Sequence, residues 1–121
     1  MAYEIDAFNN NHCYDSNGQY HKEDGPAFIT RNGHEEWYWH GKLHRENGPA
    51  YISIDGYEEW FMHGKRHRED GPAVTWKSNK FKLNEYWIEG NYYTEGEYWA
   101  KINETKKCKL FRFDKKNIKW L

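Results

Sequence analysis

A chain of 121 residues fits one domain, and a mean hydropathy of −1.24 with 31% charged residues argues against a thick aliphatic core. Phe, Trp and Tyr together reach 19%, which excludes a disordered chain, because disordered segments are poor in rings. A net charge of −1 excludes a global attraction to nucleic acid or acidic membranes.

The charge is unevenly spread: residues 1–76 hold 7 Lys and Arg against 13 Asp and Glu, and residues 77–121 hold 11 against 6. All seven histidines lie in the first part. The start, Met1-Ala2-Tyr3-Glu4-Ile5-Asp6, has neither the basic nor the apolar region of a signal peptide. No stretch approaches the roughly 18 apolar residues of a membrane span. The expectation is a cytoplasmic protein without a membrane partner.

In chain order, residues 3–8 read as an N-terminal cap strand within a cap of residues 1–17. A repeat follows. Gly25-Pro26-Ala27, Gly48-Pro49-Ala50 and Gly71-Pro72-Ala73 recur at intervals of 23, defining units over residues 18–40, 41–63 and 64–89. Each unit has a His three residues after its leading Gly (His21, His44, His67) and a Glu two further on (Glu23, Glu46, Glu69). Asn32-Gly33 and Asp55-Gly56 read as two-residue type I′ turns between β-prone runs, 27–30 with 35–39 and 50–54 with 58–62. The third hairpin has a longer loop around Ser78-Asn79-Lys80.

A two-residue turn sets Phe28 opposite Trp37 and Tyr51 opposite Trp60. Alternation then collects Phe28, Trp37, Trp39, Tyr51, Trp60 and Met62, continued by Val74, Trp76, Tyr86 and Ile88, on a core face. The other face carries Ala27, Ile29, Ala50 and Ile52 with Glu36, Tyr38, His40, Glu59, Phe61, His63, Glu85 and Trp87. Rings mixed with charge have the texture of an exposed recognition surface. Tyr38, Phe61, Trp87, Glu36, Glu59, His40 and His63 are therefore the candidate partner-binding residues.

Beyond the third hairpin, Thr94-Glu95-Gly96-Glu97 fits a helix capping box, with Tyr98, Trp99 and Ile102 near one helical face. Leu110-Phe111-Arg112-Phe113 alternates like a strand. Residues 90–121 thus read as a degenerate unit and C-terminal cap, giving a single repeat domain over residues 1–121. The fold class is mainly β: tandem hairpins in an antiparallel sheet, with a short C-terminal helix and strand as cap. Lys106, Lys107, Lys109, Arg112, Lys115 and Lys116, interleaved with rings, have the composition of a nucleic-acid groove.

The segments Tyr38-Trp39-His40-Gly41-Lys42-Leu43-His44 and Phe61-Met62-His63-Gly64-Lys65-Arg66-His67 resemble the MORN repeat and its bacterial variant, over about residues 18–93. MORN units follow the His with Gly-x-Gly, whereas this chain has Arg/Lys-Glu-Asp/Asn-Gly-Pro-Ala. That signature is similar to small proteins of bacteriophages, bacteria and large DNA viruses. The resemblance implies a hairpin-stacked, gently twisted sheet used for protein contacts, and no catalytic residues.

His40 with His44 and His63 with His67 have metal-like spacing, but each pair straddles a turn and no cysteine accompanies it. Hydrogen bonding of His21, His44 and His67 to loop backbone or a nearby Glu is the reading preferred, and neither metal nor cofactor is expected. Glu23, Glu46 and Glu69 recur with their neighbours Asp24, Asn47 and Asp70, which fits turns stabilised once per unit and not one catalytic constellation. Cys13 and Cys108 read as free thiols. The expectation is a non-catalytic protein-binding module of the phage or bacterial inhibitor, antitoxin-like or host-interaction kind, with self-pairing through open sheet edges as a route to a homodimer. The alternative is a nucleotide- or nucleic-acid-sequestering protein using ring stacking and the basic tail.

Overall fold

The computed structural model describes residues 2–78 and 80–117, with side chains as far as Lys107. The chain is mainly β. Strands β1 (Ala2–Ile5), β2 (Asn11–Tyr14), β3 (Phe28–Ile29), β4 (Glu35–Glu36), β5 (Tyr38–Trp39), β6 (Lys42–Leu43) and β7 (Tyr51–Ile52) come first. They are followed by β8 (Glu58–Glu59), β9 (Phe61–Met62), β10 (Lys65–Arg66), β11 (Val74–Lys77), β12 (Lys82–Ile88), β13 (Asn91–Tyr93) and the helix α1 (Glu95–Asn117). A nine-stranded antiparallel sheet runs in the order β1-β2-β3-β4-β7-β8-β11-β12-β13, while β5 pairs with β6 and β9 with β10.

The split into separate ladders happens at single residues. Trp37 N–H donates to Ala50 C=O at 2.7 Å, inside the large sheet, while its C=O accepts from His44 N–H at 3.0 Å, outside it. Trp60 does the same with Ala73 and His67, and Cys13 with Ala27 and His21, at the same distances. One extended run therefore serves the large sheet through its first residues and a second ladder through its last. That ladder continues between hairpins through Lys22 N–H to Tyr38 C=O at 3.3 Å and Arg45 N–H to Phe61 C=O at 3.1 Å.

The turns differ from the sequence reading. Thr30 and His34 close a three-residue loop, with Thr30 N–H to His34 C=O at 2.9 Å, and only Gly33 has positive φ, at 98°. Ser53 and Tyr57 close the equivalent loop at 2.9 Å, with Gly56 at φ 88°. The Thr30 and Ser53 hydroxyls accept from the N–H of His34 and Tyr57, at 2.9 and 3.1 Å, which draws one more residue into each loop. The pairs with two consecutive positive φ values, as type I′ demands, are His40-Gly41, His63-Gly64 and Glu89-Gly90.

The wider loops shift the register by one residue. Phe28 lies opposite Glu36, and Tyr51 opposite Glu59, instead of facing Trp37 and Trp60. Because side chains alternate, that shift sends each partner to the other face. Trp37, Trp39, Trp60, Met62 and Tyr86 share a side with Ala27, Ala50 and Ala73; Phe28, Tyr51 and Val74 share theirs with Glu36, Tyr38, Glu59, Phe61, Glu85 and Trp87.

The packing centre is small. Ala27, Ala50, Ala73 and Val74 are at most 1% exposed. Loops cross over the tryptophans: the Arg45 guanidinium lies 3.8 Å from the Trp37 ring centre and donates to Pro49 C=O at 3.1 Å. Arg68 repeats this on Trp60 and Pro72, at 3.9 and 3.1 Å. A Cβ on Gly48 would sit 2.7 Å from the Arg45 Cζ, so glycine is what lets the arginine lie there. These arginines hold the loops in the way expected of the Asx residues before Gly-Pro.

At the C-terminal end the expected capping box is present: Thr94 N–H donates to Glu97 Oε1 at 3.0 Å and Glu97 N–H to Thr94 Oγ1 at 3.3 Å. The helix it starts runs to Asn117, through the residues 110–113 expected as a strand. With six lysines and no Gly or Pro over residues 98–117, helix propagation prevails over a four-residue alternation. Tyr98 and Ile102 are buried against the sheet, and Trp99 is partly exposed beside them, its ring 6.5 Å from that of Tyr86.

Replacing Ala50 by Leu overfills a site with no free space and should lower unfolding stability by about 1–3 kcal/mol. Ile54→Ser, at a position 63% exposed, should change it by less than about 0.5 kcal/mol. Urea titrations of the two variants check this.

Candidate functional site

The register places aromatic and acidic side chains on one continuous face of the sheet. The rings of Tyr14 and Tyr20 stack at 5.0 Å between centres, as do those of Tyr20 and Tyr38. Phe28 lies 5.0 Å from His12 and 6.0 Å from His34, and His34 lies 4.9 Å from Tyr51. Farther along, the Arg66 guanidinium is 4.9 Å from the Trp87 ring, which meets Tyr92 at 5.4 Å.

The carboxylates of this face are tied to the rings beside them. Tyr38 Oη donates to Glu36 Oε1 at 2.7 Å, and His34 Nε2 lies 2.7 Å from Glu36 Oε2. Glu59 accepts from Arg66 Nε at 2.8 Å, and Glu85 from Trp87 Nε1 at 3.0 Å. Burial, reinforced by the bond to Glu36, pushes the Tyr38 phenol above its ordinary range, and burial pushes Tyr20 up to about 12. Both phenols thus stay neutral near pH 7. The result is a half-buried, cross-braced surface of fixed rings with acidic groups between them.

Of the residues expected to bind a partner, Tyr38, Phe61, Trp87, Glu36 and Glu59 come together here. His40 and His63 do not. Each occupies the first, positive-φ position of a type I′ turn, which swings its ring away. The His40 ring stacks on His21 at 3.9 Å, its Nδ1 lying 2.7 Å from Asp15 Oδ2, and the His63 ring lies 4.4 Å from His44. Sequence spacing pairs His40 with His44; the structure pairs His21 with His40 and His44 with His63. Tyr20, His34, Tyr51, Tyr57 and Arg66 join the face without having been expected there: the register shift carries Tyr51 across, His34 and Tyr57 alternate with Glu36 and Glu59 on their own strands, and Tyr20 and Arg66 pair with Tyr14 and Phe61.

The histidines after each leading glycine are scaffold, as anticipated. His21, His44 and His67 each accept through Nδ1 from the backbone N–H that opens the next type I′ turn, at His40, His63 and Glu89, at 3.0, 2.8 and 3.0 Å. Their own N–H groups bond Cys13, Trp37 and Trp60. One residue type thus locks a strand to the following turn. Among the described residues, no group of three or more His, Cys, Asp or Glu is placed to hold a metal ion.

Cys13 is buried and free. In the basic tail, Lys106 and Lys107 are exposed on α1; the side chains of Cys108, Lys109, Arg112, Lys115 and Lys116 lie outside those described. No described helix is long and apolar enough to cross a membrane.

Comparison of the chain with protein-family models, with curated proteins and with solved structures finds no match. The functional reading therefore rests on the side chains themselves.

Burial and the neighbouring His63 hold the pKa of His44 below its ordinary value, against a smaller opposing pull from Glu46. The native chain therefore keeps this imidazole neutral where the unfolded chain, titrating near about 6.5, takes up a proton. The contribution is complete above that pH and is lost as pH falls below it toward the folded value. Denaturation between pH 7.5 and 5.5 should show falling stability, with a shallower fall for His44→Asn than for the unsubstituted chain.

Proposed function

We propose that this chain is a non-catalytic protein-binding module, built of tandem MORN-like hairpins, that contacts its partner through the aromatic-acidic face. The observation that carries the reading is the continuity of that face from Tyr14 to Tyr92, with Tyr38, Phe61 and Trp87 at equivalent positions along it. Rigid rings that keep a polar edge contribute most at protein interfaces, since they bury area at little entropic cost. The hydrogen bonds among Tyr38, Glu36 and His34 pre-order the surface, which lowers what association must spend on fixing side chains.

A partner suited to this face presents basic and apolar groups together. Glu36, Glu59 and Glu85 repel an anion, so the face itself is a poor seat for nucleic acid. The resemblance of the His-Arg-Glu-Asp-Gly-Pro-Ala signature to small phage, bacterial and viral proteins supports an inhibitor or host-interaction role in a cytoplasm. The alternative, binding of a nucleotide or nucleic acid by ring stacking and the basic tail, draws among the described side chains on the exposed Lys101, Lys106 and Lys107 of α1.

Partner capture coupled to mass spectrometry, followed by binding measurements with the identified protein, tests the proposal. Tyr38→Ala with Phe61→Ala should weaken binding by about 30-fold or more while the chain stays folded by circular dichroism. Unchanged affinity in that folded variant rules out this face. Salt-dependent binding of single-stranded DNA that survives the double substitution would favour the alternative.

A further inference from the structure

The tryptophan side of the sheet, opposite the aromatic-acidic face, is crossed by three loops, residues 21–26, 44–49 and 67–72. Between the first two lies a groove of about 510 Å³ floored by Trp37 and Trp39. Between the second and third lies one of about 460 Å³ floored by Trp60 and Met62. The equivalent place beyond the third loop is floored by Tyr86 and Ile88, and there the chain fills the space with its own helix.

The filling is specific. Tyr98 packs against Tyr86 at 4.9 Å between ring centres. Its hydroxyl donates to Arg68 C=O and accepts from Gly71 N–H at 3.2 Å. Ile102, one helical turn on, is buried beside it. A single phenol thus satisfies both an acceptor and a donor on the wall of the loop.

In the two open grooves no protein group takes the place of that phenol. Lys22 C=O with Gly25 N–H, and Arg45 C=O with Gly48 N–H, have no hydrogen-bond partner among the described residues, although Gly25 and Gly48 are buried. Arg45 and Arg68 lie over the tryptophan floors, but a guanidinium only donates and cannot accept from those N–H groups. In a groove open enough to admit a partner helix, water hydrates these groups, so a docked helix has to replace both bonds. A hydroxyl that both accepts and donates meets the need.

We propose that the two grooves are docking sites for a helix of a protein partner that presents a tyrosine and, four residues later, an aliphatic side chain. This is the spacing with which Tyr98 and Ile102 close the third groove, since residues four apart share a helical face. Charge sharpens the pattern. Beside α1, Lys101 and Lys106 line a cleft with Glu69 and Glu89, and Glu23 and Glu46 stand on the walls of the open grooves. A lysine immediately before the aliphatic residue therefore completes the docking sequence, Tyr-x-x-Lys-Ile. This surface is independent of Tyr38 and Phe61, so either can fail without the other.

The probe is a synthetic copy of residues 94–107, cross-linked between positions 100 and 104 to hold it helical, titrated into the isotope-labelled full-length chain. The expected result is movement of the Gly25 and Gly48 amide signals and of the Trp37 and Trp60 indole signals. A peptide carrying Tyr98→Phe should bind about tenfold more weakly. Trp39→Glu in the chain, at a position 40% exposed, should abolish the response of the first groove and spare the second. Movement confined to Gly71 and Tyr86, which reports exchange with the chain's own helix, overturns the proposal. So does the absence of any movement up to about 1 mM peptide, or equal binding by the phenylalanine peptide.

Discussion

At Cys13, Trp37 and Trp60 the N–H and C=O of one residue bond to different neighbours, Ala27, Ala50 and Ala73 on one side and His21, His44 and His67 on the other. A strand that exchanges partners in mid-run needs both new neighbours held in place. Alanine supplies the first: only a very small side chain fits where the loop, the strand and the ring converge, and Ala50 and Ala73 have no exposed surface. Histidine supplies the second, since its ring reaches the turn that follows while its backbone bonds the strand. Much of the motif around each Gly-Pro-Ala is explained by this one exchange.

The same arrangement accounts for how so polar a chain folds. Apolar area is contributed by rings that are only partly covered, several of them (Tyr38, Trp37, Trp87) hydrogen-bonded to a neighbouring carboxylate, and by arginine stems and guanidinium planes laid over tryptophan. Polar groups that would be a burden in an aliphatic core are bonded to one another within the sheet. Order is thereby spread along the sheet. The most enclosed ring, Tyr98, is the one that ends the array.

Much of this was legible in the residues. The interval of 23, the scaffold role of His21, His44 and His67, the capping box at Thr94 and the column of Tyr38, Phe61 and Trp87 all follow from spacing, which survives an error of register. The faces do not. Asn32-Gly33 and Asp55-Gly56 mark a turn, but whether the preceding residue joins the loop depends on the Thr30 and Ser53 hydroxyls, and that one residue decides which side Phe28 and Tyr51 take. His40 and His63 were misplaced for a related reason: their turn conformation is set by the following glycine, so strand alternation does not extend to them. The stretch 110–113 is too short for alternation to outweigh a helix already begun.

The two ends of the sheet are unequal. At one end α1 lies against β12 and β13, and its phenol occupies the backbone groups that another loop would otherwise meet. At the other, β1 is exposed at all four residues and has no strand beyond it. β13 likewise ends the sheet among the described residues, so unpaired backbone groups of the kind that template a further strand stand at both edges, and the helix distinguishes the two ends by the face it covers.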